Sequence, residues 1–273
     1  MVAVGQVRWR EVRPRSSPVT APAASTPGLT TGIVDFYSGD GPYDLAAAKA
    51  GGIIAIIHKA TEGLTYRDRG FADAMNAAAA NGVLRGAYHF GNGASTGAQQ
   101  ADAFLSVVGN NPDILLALDL ERNPNQTAGT MTTSQAAQFV QRIYNRTGRW
   151  PILYAGLSDL VNRVHAASST DLLTLAHCDL WLAKYGEAPA SVPAPWGTWS
   201  LWQYSDYADG PADRAAFPRV TPGFGRVDRS VFRGSPAQLR AWWSSTGRNP
   251  SMWWYAAGAI FVGAIVAVIV RRE

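Results

Sequence analysis

The chain has 273 residues, 47% of them apolar, with ten Trp, ten Tyr, one Cys and a formal net charge of +4. A single cysteine excludes an internal disulfide and a Cys-ligated zinc site; His58, His89, His165 and His177 form no H-x-x-x-H pair, so no metal site or cofactor is expected. The basic balance favours an anionic partner such as a cell wall or a membrane. Nucleic acid is set aside, because no Lys/Arg-rich run with interleaved aromatics occurs in the middle of the chain.

Residues 1–30 carry Arg8, Arg10, Arg13 and Arg15, then a Pro/Ala/Ser/Thr run with little to bury. This composition predicts a disordered arm. It does not read as a secretory signal, because no apolar h-region follows the arginines.

From residue 31, apolar β-branched runs alternate with helical ones. "GIVDF" and "GIIAIIHKA" read as buried parallel strands, with the short helix "DLAAAKAG" between them. There follow helix "RGFADAMNAAAANG", strand "VLRGAYHF", helix "TGAQQADAFLSVVG", strand "DILLALDLE", and helix "TTSQAAQFVQRIYNRTG" with a Thr/Ser N-cap. Strand "PILYAG", helix "SSTDLLTLAH", strand "DLWLAKY" and the last clear strand, "WSLWQYS", complete the series. The repeat predicts a parallel-stranded α/β domain over 31–245. Asp35, Lys59, His89, Asp119, Glu121, Tyr154, Tyr185 and Gln203 fall at strand C-termini. Active sites of β/α barrels are built at that end.

Residues 253–270, "WWYAAGAIFVGAIVAVIV", are uncharged and about as long as a bilayer core requires. Trp253, Trp254 and Tyr255 stand at one end and Arg271 and Arg272 at the other. A transmembrane helix with a basic tail is expected over 252–273. The two arginines favour a cytoplasmic C-terminus, which would put the domain outside. With no export signal visible, and with the helix leaving the ribosome last, a folded domain held at the inner face of the membrane is the favoured topology.

The stretch "DILLALDLERNP" ends a buried run with two acids one residue apart. Alternate strand residues share a face, so Asp119 and Glu121 point the same way. Paired carboxylates among aromatics suggest glycoside hydrolysis. A charge pair beside a phosphate-binding or structural Arg is the rival reading.

"GIVDFYSGDG", "KATEG", "GAYHF", "LALDLE", "ILYAG", "LWLAKY", "WSLWQYS" and "RVDRSVF" occur in this order over residues 31–234. Together they resemble the family 25 glycoside hydrolases, the muramidase-type lysozymes. The resemblance implies an irregular, TIM-like β/α barrel that cuts the β-1,4 bond between N-acetylmuramic acid and N-acetylglucosamine in peptidoglycan. It places the family's acid pair on Asp119 and Glu121, its early acid on Asp35 and its late acid on Asp228. Glu121 is then the general acid, its pKa raised by three neighbouring carboxylates. Asp119 stays ionised, either stabilising the sugar cation or orienting the substrate's acetamido group as an internal nucleophile. Asp35 and Asp228 tune charge and position the sugar.

Tyr88, Tyr154, Trp181, Tyr185, Trp202, Gln203 and Tyr204 are expected to line the groove, although Trp202 and Tyr204 must face one way and Gln203 the other. His89 and Glu62 sit in family-like motifs and suit structural hydrogen bonding equally well. The sequence departs from the family pattern in "FYSGDG", where a Val-Ser followed by Gln-Gly is more common, and in a next helix that lacks a Trp near its start. A catalytically inactive wall-binding barrel is the alternative of a different class. The combination of features fits a bacteriophage endolysin or a bacterial wall-remodelling enzyme.

Overall fold

The computed structural model describes residues 28–125, 127–207 and 216–246. Most of the arm expected over 1–30, and all of the membrane span expected over 252–273, lie outside them. No helix among the described residues is long and apolar enough to cross a membrane.

The chain runs β1 (Thr30–Phe36), α1 (Leu45–Ala50), β2 (Ala55–Glu62), β3 (Tyr66–Arg67), α2 (Phe71–Ala80), β4 (Leu84–Phe90), α3 (Gly97–Val108), β5 (Ile114–Asp119) and α4 (Thr133–Thr147). It continues with β6 (Ile152–Gly156), α5 (Leu157–Ala166), α6 (Ser169–Leu175), β7 (Leu180–Ala183), β8 (Leu201–Ser205), β9 (Asp228–Phe232) and α7 (Pro236–Ser245). The sheet order is β1-β9-β8-β7-β6-β5-β4-β2-β3, and a β1–β2 pairing closes it into a barrel with β3 hairpinned outside the ring. Ring pairings are parallel except those of β9, which is antiparallel to both β1 and β8. That reversal makes the barrel irregular. It also carries Asp228, the first residue of β9, to the end of the ring where the other strands finish.

Strand alternation divides the apolar residues into two cores. Ile33, Ala55, Ile57, Leu115, Ala117, Ile152 and Leu201 pack inside the barrel. Val34, Ile56, Leu116, Leu118, Leu153 and Leu182 face outward onto helix residues such as Phe104, Phe139 and Val140. Both faces are buried, which is why these strands read as continuous apolar runs. Helix starts are set locally. Thr96 with Gln99, Thr132 with Gln135, and Ser235 with Gln238 form reciprocal capping boxes on α3, α4 and α7. Gly97 permits the close α3–α4 approach: a Cβ there would lie 1.7 Å from the Gln135 carbonyl oxygen.

The floor of the barrel is closed by α7. Leu239 and Trp243 join the inner core, the Trp243 indole N–H donates to the Arg85 carbonyl at 2.7 Å, and Trp242 donates to Asp179 at 2.7 Å.

Four elements depart from the sequence expectation. Strand β3 is a two-residue hairpin partner of β2, too short to leave a pattern. Helix α5 follows β6 directly, uncapped by any side chain and burying only Leu160, so its pattern was weak. Strand β9 begins with a charged Asp-Arg pair, which hid it. Helix α7 closes the domain beyond the last expected strand.

Candidate active site

At the C-terminal end of the ring, the last inward-facing positions turn from apolar to polar. Asp35, Tyr88, Asp119, Glu121, Tyr154, Trp181, Gln203 and Asp228 surround a cavity of about 100 Å³. Alternation explains the set. Ile33 then Asp35, Ala117 then Asp119, Ile152 then Tyr154, and Leu201 then Gln203 are successive residues of one strand face.

Asp35 and Asp228 are directly opposed in the β1–β9 register. Gln203 joins them: its amide N–H donates to Asp35 at 3.0 Å and to Asp228 at 3.3 Å. Its carbonyl oxygen accepts from Tyr154 at 2.9 Å and from Tyr185 at 3.4 Å. The donors on the tyrosines therefore fix which way the amide points, and the amide fixes the two acids. The Trp181 indole N–H donates to Ser230 at 3.0 Å, locking the ring edge-on to Tyr154. Oδ1 of Asp35 and Oδ1 of Asp119 are buried without a hydrogen-bond partner. Orphan oxygens of this kind are costly, and both belong to residues that line the cavity.

Burial dominates the electrostatics. It pushes the Asp35 and Asp119 carboxyls well above the usual range, with the charges of Asp228 and Glu121 respectively adding to the effect. Asp228 is raised to about 7, by burial and then by Asp40 and Asp206. Glu121 is raised by burial, held back by the Lys59 ammonium and raised further by Asp159. Two expectations change. Like-charge repulsion is not what chiefly raises Glu121; desolvation is. Nor do the protein surroundings favour an ionised Asp119, because burial and Glu121 both oppose its charge.

Lys59 is the residue sequence reasoning undervalued. Its position on the inward face of β2, after Ala55 and Ile57, was the available signal. Its ammonium pairs with Glu62 at 2.7 Å and lies 4.9 Å from the Phe90 ring centre and 5.0 Å from that of Tyr66. It lowers the pKa of both Asp119 and Glu121.

Trp202 and Tyr204 do not line the groove. Both face outward and are fully buried, Trp202 donating to the Lys184 carbonyl at 2.7 Å and Tyr204 to that of Pro218 at 2.6 Å. Alternation gave their neighbour Gln203 the inner side. Tyr185 stands at the rim, partly exposed, and reaches the site through Gln203. His89 is structural: Thr61 and Gln100 engage its two ring nitrogens at 2.7 and 3.1 Å, and burial lowers its pKa to about 4. Glu62 holds Lys59. Among the described residues, no cluster of His, Cys, Asp and Glu is arranged to hold a metal ion.

Buried, proton-retaining acids under aromatic walls at the mouth of a β/α barrel define a glycoside hydrolase. The model of glycosyl hydrolases family 25 matches residues 34–211, and the chain belongs to that family. It is 32% identical over 227 residues to Lysozyme M1 of Streptomyces globisporus, covering 79% of this chain and 72% of that protein. It is 35% identical over 184 residues to an N,O-diacetylmuramidase of Chalaropsis sp, covering 61% of this chain and 84% of that protein. The crystal structure of a bacterial lysozyme from Streptomyces coelicolor superposes with a TM-score of 0.67 at 29% identity, covering 81% of this chain and 99% of that one. The family match ends before Asp228. The antiparallel β9 is what brings that acid to Asp35.

Proposed function

We infer that this protein is an N-acetylmuramidase that hydrolyses the β-1,4 bond between N-acetylmuramic acid and N-acetylglucosamine in peptidoglycan. The observation that carries the reading is the mouth itself: Asp119 and Glu121 on one side, Asp35 and Asp228 joined by Gln203 on the other. An inactive binding barrel has no use for four carboxyls whose pKa values are all raised.

Glu121, the least enclosed of the pair, protonates the leaving oxygen. A sugar seated over it removes its remaining water and raises its pKa further. Positive charge developing at the sugar's anomeric carbon has the opposite effect on Asp119, stabilising its anion. The proton that the resting pair retains is thereby held on Glu121 and passes to the leaving oxygen as the bond breaks. Asp35 and Asp228, shared through one amide, hold the sugar's polar groups. The reading is tested by product chemistry. Borohydride reduction of digested walls should yield muramitol; glucosaminitol, or new amines from peptide cleavage, would sink it.

We also propose a setting, from the hydropathy of the sequence. Residues 253–270 tether the enzyme to a membrane. The protein should then sediment with membranes and be released by detergent but not by salt. Release by salt alone would reject the tether. A lysin held at the host membrane until lysis is the role this tether favours, and protease digestion of the barrel in intact spheroplasts would overturn that topology.

A further inference from the structure

The mouth and the floor of the barrel hold their ionisable groups differently. The mouth encloses Asp35, Asp119, Glu121 and Asp228, and burial pushes all four towards the protonated form. The floor is basic. Arg146 in the last turn of α4, Arg233 just after β9, and Arg240 on α7 are all exposed at that end. Among the described residues, the carboxylates at the strand starts there are already engaged. Asp113 pairs with Arg85 at 3.2 Å, and Asp179 accepts the Trp242 N–H at 2.7 Å.

The chain leaves the barrel from this same basic end. Helix α7 finishes at Ser245, and only the six residues 247–252 separate Thr246 from the apolar run at 253–270. Six residues reach at most about 20 Å when fully extended. That is about two Debye lengths at physiological salt. If the run is in a bilayer, the floor stays within about 20 Å of the lipid headgroups and meets their field whenever the linker is less than fully extended.

We propose that the floor of the barrel docks on an anionic phospholipid surface through Arg146, Arg233 and Arg240, turning the catalytic mouth away from the bilayer. The proposal rests on the tether reading above. Each basic residue near an anionic surface strengthens attraction roughly fivefold. Because the mouth lies at the opposite end of the ring, docking by the floor turns it away from the lipid. The consequence is a site left open to solvent rather than pressed against lipid.

The test uses the full chain with a fluorophore at Ser244→Cys on α7. Cys178, 2% exposed, does not compete for the label. A second protein carries the label at Thr65→Cys, exposed beside the mouth. Both are mixed with vesicles of phosphatidylcholine, with or without a third phosphatidylglycerol by amount, containing a headgroup quencher. Quenching at position 244 should be several-fold stronger with phosphatidylglycerol. R146E/R240E should abolish that difference and R146K/R240K should keep it, while position 65 stays unquenched throughout. Equal quenching at 244 in both lipids, indifference to charge reversal, or quenching at 65 would overturn the docking. Flotation with neutral vesicles reports the tether separately. Floating without charge-dependent quenching rejects docking alone, and failure to float rejects the tether.

Discussion

The inner face of the barrel is built in two opposite halves. In the lower half, Ile33, Ala55, Ile57, Leu115, Ala117, Ile152 and Leu201 pack on Leu239 and Trp243, and both indole N–H groups of α7 find partners. In the upper half, one strand repeat further on, the same faces carry Asp35, Lys59, Tyr88, Asp119, Tyr154 and Gln203, and two carboxylate oxygens have no partner. The floor buries apolar area and satisfies every donor it can. The mouth keeps buried charge-bearing groups that destabilise the fold until a substrate meets them. Stability is concentrated at one end so that reactivity can be held at the other.

The largest expected effect lies in the mouth. Glu121→Gln keeps shape and hydrogen bonding but cannot donate the proton, so wall lysis should fall by about 10²–10⁴-fold with the melting temperature preserved. Turbidity loss of purified walls measures it. Lysis within a factor of about ten of wild type would remove Glu121 from the role of acid.

The floor should behave inversely. Trp243→Ala takes away a ring that is 3% exposed in the inner core. The expected cost is about 3–5 kcal/mol of stability. Chemical denaturation should register the loss, while the folded fraction retains wild-type specific activity. A lost activity without lost stability would show that the two ends are not separable.

Asp228 links the two properties through pH. Its folded carboxyl sits at about 7 against an ordinary 3.8, so the folded state keeps a proton that the unfolded chain releases. Stability from this group therefore declines as pH rises from about 4 towards 7. Asp228→Asn should remove that decline and make the protein more stable at neutral pH, by on the order of 2–4 kcal/mol, while impairing lysis. Melting temperatures of the two proteins across pH 4–8 decide it. Parallel curves would mean that Asp228 titrates normally.

The smallest effect sharpens the distinction between the faces of one strand. Trp202 lies on the outer side of β8 against Trp199, Tyr204 and Phe217, next in sequence to Gln203. Trp202→Phe should cost about 1–3 kcal/mol of stability and leave the steady-state rate of wall lysis nearly unchanged. A selective rise in KM would return Trp202 to the substrate groove.

Much of this was legible in the chain. Apolar β-branched runs, Thr and Ser caps, and glycine stops mark local preferences that need no tertiary context, so the alternating α/β order and most helices follow from the sequence. The pairing of Asp119 with Glu121 is equally local, since one intervening residue on an extended chain puts both on a single side. The order of the motifs was enough to suggest the family. Other features depend on what the folded chain brings near. Asp35 and Asp228 are 193 positions apart in number and meet only because β9 inserts antiparallel beside β1. Whether Trp202 or Gln203 faced inward was a question of register, which closure of the ring answers and alternation alone does not. The source of the raised pKa values belongs to the same class. Sequence shows how many acids there are, but burial, the leading cause for all four, exists only once the surrounding strands have removed the water.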